Sequence, residues 1–151
     1  AKKIAIFKSG NMSLGVNLLE YIVNILSKKI PNDYYIGIND NHHKKKIDYP
    51  SGTALMLANA VSKAKNKNLE SIKGNIFLNK KGNLQKNKIN FFITRKGNTI
   101  GKHNINYNNK LEIIEYNNTD GNYIPETPTK LGLYPKFLPT KYWQYNCFLY
   151  R

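Results

Sequence analysis

Tyr34-Tyr35-Ile36-Gly37-Ile38 runs into His42-His43-Lys44-Lys45-Lys46 and then into Asp48-Tyr49-Pro50-Ser51-Gly52-Thr53. The first stretch, rich in aromatic and β-branched residues, predicts a strand. It delivers the histidine block at its carboxyl end, where open α/β sheets commonly place ligands. The last stretch predicts a helix start at Ser51-Gly52-Thr53. That helix is expected from about Gly52 to Lys65, with Leu55, Ala58 and Val61 on one face. The free N–H groups of a first helical turn suit carboxylates or phosphates. Imidazole exchanges protons near neutral pH, and ammonium groups attract anions. From chemistry alone, the segment reads as a site for a small anionic substrate with a proton to move.

On the amino-terminal side, residues 3–8 predict a short buried strand that ends at the breaker Ser9-Gly10-Asn11. A helix is expected over about residues 13–28, because Val16, Leu19, Val23 and Leu26 recur at three- and four-residue steps. Ser13 or Asn11 can cap it, and Pro31 lies just past its end. On the carboxyl side, Lys65 to Lys88 reads as a polar, mobile loop. Ile89–Arg95, Thr99–Tyr107 and Lys110–Tyr116 predict a meander of three strands with turns at Gly97-Asn98 and Asn108-Asn109. The expected fold class is α+β, a mixed β-sheet with helices packed on one face. From about Thr119 the chain changes character. Pro125, Pro128, Pro135, Pro139, Trp143 and five tyrosines follow, with no helical or strand period. The expected division is residues 1–119 as one domain and 120–151 as a divergent tail.

The 151 residues suit one domain with a real core. The formal charge of +15 predicts anionic partners. Cys147 is the sole cysteine, which excludes an internal disulfide and makes a reducing cytoplasm the expected setting. The apolar run in Ala1–Phe7 is too short for a signal peptide or membrane span.

His42, His43, Lys46, Asp48, Pro50, Ser51, Gly52, Thr53 and Ala54 together resemble the signature of the 4-hydroxy-tetrahydrodipicolinate reductase (dihydrodipicolinate reductase) family. Ser9–Asn17 is similar to that family's inter-domain segment, and Arg95–His103 to its Arg-x-Gly-x-x-x-Gly-x-His hairpin. The resemblance covers about residues 3–119. It implies an oxidoreductase that uses NADH or NADPH on a cyclic dicarboxylate in diaminopimelate and lysine biosynthesis. It implies His42 as proton donor and acceptor, Lys46 as a second acid, and His43 with Ser51, Gly52 and Thr53 as substrate-binding residues. Ser9, Gly10, Asn11 and Met12 would touch the nicotinamide side. The sequence holds no Gly-x-Gly-x-x-Gly, so the pyrophosphate site and the nucleotide-binding domain are expected to be cut away or encoded elsewhere. The chain is then the substrate-binding and oligomerisation part, inactive alone, with homo-tetramers expected. The family's Arg-bearing mobile loop and closing helix are not visible in the sequence.

Two other classes remain open. A pI near 9.8 with 11 tyrosines suits a basic nucleic-acid-binding module, but the aromatics do not interleave with the lysines in a motif, which argues against nucleic acid. An inactive gene remnant would unfold without cooperativity. No metal is expected, since His42 and His43 are adjacent and His103 is distant in sequence. Arg95 and His103 read as structural.

Overall fold

The computed structural model describes residues 5–8, 11–120 and 147–150. The elements are β1 (Ala5–Lys8), α1 (Leu14–Lys29), β2 (Tyr35–His42), α2 (Gly52–Ala64), α3 (Leu69–Ile72), β3 (Lys73–Leu78), β4 (Ile89–Arg95), β5 (Gly101–Asn108), β6 (Ile113–Asp120) and β7 (Cys147–Tyr150). Five strands form one mixed sheet in the order β3-β4-β2-β5-β6. β2 pairs parallel with β4 and antiparallel with β5, so it is the central strand. β1 and β7 form a separate antiparallel pair.

Successive strand residues point to opposite faces, and this alternation places the core. Ile36 and Ile38 of β2, Ile89, Phe91 and Ile93 of β4, and Ile105 and Tyr107 of β5 are buried with Leu19 and Val23 of α1 and Leu57, Ala58 and Val61 of α2. Val16 is buried too. Ser13 caps α1, its hydroxyl accepting from the Val16 amide. The buried Tyr107 hydroxyl lies 2.6 Å from Ser27 Oγ of α1, which satisfies both groups.

The second face of the sheet is polar. Asn39 donates to Asn104 at 2.7 Å, and Asn104 donates to Asn117 at 2.7 Å, a row of amides across β2, β5 and β6. Phe77 and Phe92 stack at its β3–β4 end.

Several expectations need correction. Ile89–Arg95 and the strand after it do not form a hairpin, because β2 lies between β4 and β5. The Gly97 turn, at φ +62°, steps over the end of β2 and is held by two backbone bonds, Lys44 N–H to Gly97 O and Lys96 N–H to His42 O. Gly97 carries the left-handed conformation there without strain. β6 starts at Ile113 and not Lys110, because the Asn109 side chain accepts from the Leu111 and Glu112 amides and closes a turn. The expected loop over Lys65–Lys88 contains α3 and β3. Asn68 caps α3 through the Glu70 amide, and Ile76 and Leu78 pack on the core. On α2 the buried leucine is Leu57, while Leu55 is half-buried. Cys147–Tyr150 is a strand where no strand period was read. The rest of the expected tail, 121–146, lies outside the described residues, as do Ser9 and Gly10. Among the described residues no helix is long and apolar enough to cross a membrane.

Removing the fully buried Leu57 side chain leaves a cavity between α2 and the sheet. Leu57→Ala is expected to destabilise the chain by about 2–5 kcal/mol in urea unfolding, and Leu55→Ala by less than half of that.

Candidate active site

Four side chains converge on the helix-covered face at the carboxyl end of β2, and strand register puts them there. Asp40 and His42 are two residues apart on β2 and share a face. His103 of β5 lies opposite Asp40, and Arg95 of β4 lies opposite His42. Asp40 is fully buried. A buried carboxylate is costly unless it is paired and hydrogen-bonded.

Each Asp40 oxygen has its own partners. Oδ2 accepts from Arg95 Nη2 at 3.0 Å and from the Ser51 amide at 2.8 Å. Oδ1 lies 2.8 Å from His42 Nδ1 and 3.5 Å from His103 Nε2. The His42 approach lies off the line of a straight hydrogen bond, so it is a close polar contact. Burial alone would raise the Asp40 carboxyl. The contacts from His103, His42, the Ser51 amide and Arg95 outweigh burial and hold the group well below the usual carboxylate range. Arg95 also donates to the carbonyls of Asp40 and Asp48, both at 2.8 Å, tying β2 and the loop beyond it to β4.

The start of α2 stands beside this cluster. Ser51 caps the helix, its Oγ accepting from the Ala54 amide at 3.2 Å and lying 3.3 Å from His103 Nε2. The amides of Gly52 and Thr53 open the first turn and have no partner within the helix. Thr53 is buried, and its hydroxyl accepts from Asn11 Nδ2 at 2.9 Å. Asn11 Oδ1 in turn accepts from the Ser13 amide. Met12 is part-exposed beside it.

The structure therefore brings His42 and Ser51 together through Asp40, and Asn11 and Thr53 together as a separate pair. It does not bring Lys46 into the Asp40 cluster. The Lys46 ammonium pairs with Asp48 at 2.9 Å. Burial would raise the Asp48 carboxyl, but the Lys46 bond and charge lower it overall. His43 is half-buried next to His42, and Gly52 is exposed at the helix start.

Sequence reasoning missed Asp40 and undervalued Arg95 and His103. The signal was available for Asp40 alone: a carboxylate two residues before His42 on an otherwise apolar strand face. The other two come from register, which needs the strand order. That register also brings His103 close. The ligand atoms of Asp40, His42 and His103 lie within 4.8 Å of one another, a spacing a metal ion would accept. Charge argues for another use. Arg95 already balances Asp40, so a divalent ion there would add uncompensated charge beside a guanidinium. The cluster suits a proton and an anion better.

The family described as "Dihydrodipicolinate reductase, C-terminus" matches residues 15–122. The chain belongs to this family. It is 49% identical over 117 residues to the 4-hydroxy-tetrahydrodipicolinate reductase of Pelagibacter ubique, a match covering 78% of this chain and 45% of that protein. It is 41% identical over 119 residues to the reductase of the same name from Buchnera aphidicola subsp. Cinara cedri, covering 76% and 42%. The chain thus spans less than half the length of these relatives. A solved dihydrodipicolinate reductase from Paenisporosarcina sp. TG-14, with dipicolinate bound, shares the fold with a TM-score of 0.55 at 20% identity over 72% of this chain and 40% of that one.

In the folded chain Asp40 keeps its charge to lower pH than an unfolded aspartate, whose pKa is about 3.9. Its stabilising contribution is complete above about pH 5 and is lost as pH falls below about 4, because the unfolded state takes up the proton first. Urea midpoints measured from about pH 6 to pH 3 are expected to fall, and Asp40→Asn to flatten that fall.

Proposed function

We propose that this chain is the substrate-binding part of a 4-hydroxy-tetrahydrodipicolinate reductase and holds a cyclic dicarboxylate between His43 and the start of α2. The observation that carries the reading is His42, anchored by Asp40, standing beside the Ser51-capped helix start. A proton-transfer group lies next to an anion seat. The dipicolinate in the Paenisporosarcina structure is a planar ring with two carboxylates. Helix-terminal amides and cationic side chains bind such groups with short charge-assisted bonds.

In this reading His43 takes one carboxylate, and Ser51, Gly52 and Thr53 take the other. His42 exchanges a proton with the ring carbon next to the one reduced, and Lys46, released from Asp48, assists as a second acid. NADH or NADPH supplies a hydride when bound. Of the described residues, Asn11 and Met12 would meet its nicotinamide edge. The Asn11 amide is already engaged by Thr53 and Ser13, so it fits as a spacer more than as a free donor. In this reading the pyrophosphate is held by residues outside this sequence, in which no Gly-x-Gly-x-x-Gly occurs. A nucleotide-binding domain, in a longer protein or on a separate chain, completes the cytoplasmic diaminopimelate and lysine-pathway enzyme. Residues 1–119 serve as its substrate and oligomerisation domain, and tetramers form through the sheet, whose outer face carries the row of amides.

A thermal melt of the chain titrated with pyridine-2,6-dicarboxylate tests the reading, because a ligand specific for the folded state raises the Tm by mass action. A saturable rise is expected, abolished in Thr53→Ala and reduced in His43→Ala. NADPH should not be consumed by the chain alone. A cooperative melt with no shift at millimolar ligand would reject the dicarboxylate site, and sustained NADPH oxidation would reject the division of labour.

A further inference from the structure

We propose that Asp40 is the positioning residue of this site: Oδ1 fixes His42 as the Nδ1–H tautomer, and Oδ2 sets the start of α2 in place against the same ring. The inference rests on the reading of His42 as the proton-transfer group and assigns that group its partner. Asp40 Oδ1 lies 2.8 Å from the ring nitrogen, off the line of a straight hydrogen bond, and at that distance the carboxylate charge favours the positive end of an N–H dipole over a ring lone pair. With Nδ1 carrying that proton, Nε2 is the atom left to take up or release the working proton. The Nδ1 proton stays where it is.

His103 closes the arrangement. Its Nε2 lies 3.5 Å from Asp40 Oδ1 and 3.3 Å from Ser51 Oγ, bridging the carboxylate to the helix cap. Its ring meets the His42 ring edge to face, with centroids 5.1 Å apart, which obstructs rotation of His42. Arg95 balances the Asp40 charge from the opposite oxygen, so the carboxylate accepts hydrogen bonds and does not capture the proton that His42 must pass. The amide of Ser51 and the ring of His42 are thus referenced to one carboxyl group. Their separation is set by the fold and not by the ligand, which is the preorganisation that proton transfer at a bound ring requires.

The test is a long-range 1H–15N correlation spectrum of the histidine rings in the full chain at a pH where they are neutral. His42 is expected as the Nδ1–H tautomer. An Nε2–H tautomer in the wild-type chain overturns the proposal without recourse to any variant. Asp40→Asn should release His42 into a tautomer mixture and weaken pyridine-2,6-dicarboxylate binding at least tenfold. A folded Asp40→Asn chain with the wild-type tautomer also overturns it. If that variant does not fold, Asp40→Glu decides: it keeps the charge but displaces both oxygens, so the Nδ1–H tautomer should survive while dicarboxylate binding weakens about tenfold, and unchanged affinity rejects the link to α2. A wild-type chain that shows the Nδ1–H tautomer yet binds no dicarboxylate rejects the proposed substrate and leaves the assignment of Asp40 standing.

Discussion

The buried ion pair between Asp40 and Arg95 is the constraint around which the rest is arranged. A carboxylate without access to water must be surrounded by donors, and here the donors come from four places: β4, β5, the segment after β2 and β2 itself. Satisfying one group therefore fixes the relative positions of three strands and a helix start. Breaking such a pair from one side leaves an uncompensated charge, which costs far more than the intact pair contributes. The same carboxylate that would be a liability in an ordinary core becomes the reference point of the site.

The sheet treats its two faces differently. The helix side is filled by Ile, Val, Leu and Phe until the carboxyl end of β2, where Asp40 and His42 take over the same alternating positions. The far side is crossed by amides from Asn39 to Asn117. These side chains bond to each other in a row, and each amide keeps further donor or acceptor capacity beyond those bonds.

Much of this was legible in the sequence. The periodicity of Val16, Leu19 and Val23 gave α1 and its buried stripe, and Ser51 gave the cap of α2. The strand read from Tyr34 was expected to deliver the histidine block at its carboxyl end, and β2 does end at His42. What could not be read was the order of strands. Ile89–Arg95 and the strand after Gly97 looked like a hairpin because turn chemistry is local, whereas the insertion of β2 between them is a long-range choice. Arg95 and His103 acquire their meaning only from that insertion. β3 was hidden for a different reason: Ile76-Phe77-Leu78 is a short apolar run inside a lysine- and asparagine-rich stretch, and composition outweighed it.

The bond from Asn11 to Thr53 joins the lead-in of α1 to the first turn of α2 across 42 positions of sequence. This bond links the two helices at their amino-terminal ends. The path of the chain just ahead of α1 and the first turn of α2 are therefore set in part by each other. Any group that moved Thr53 would draw on the segment that leads into α1, and the reverse holds as well.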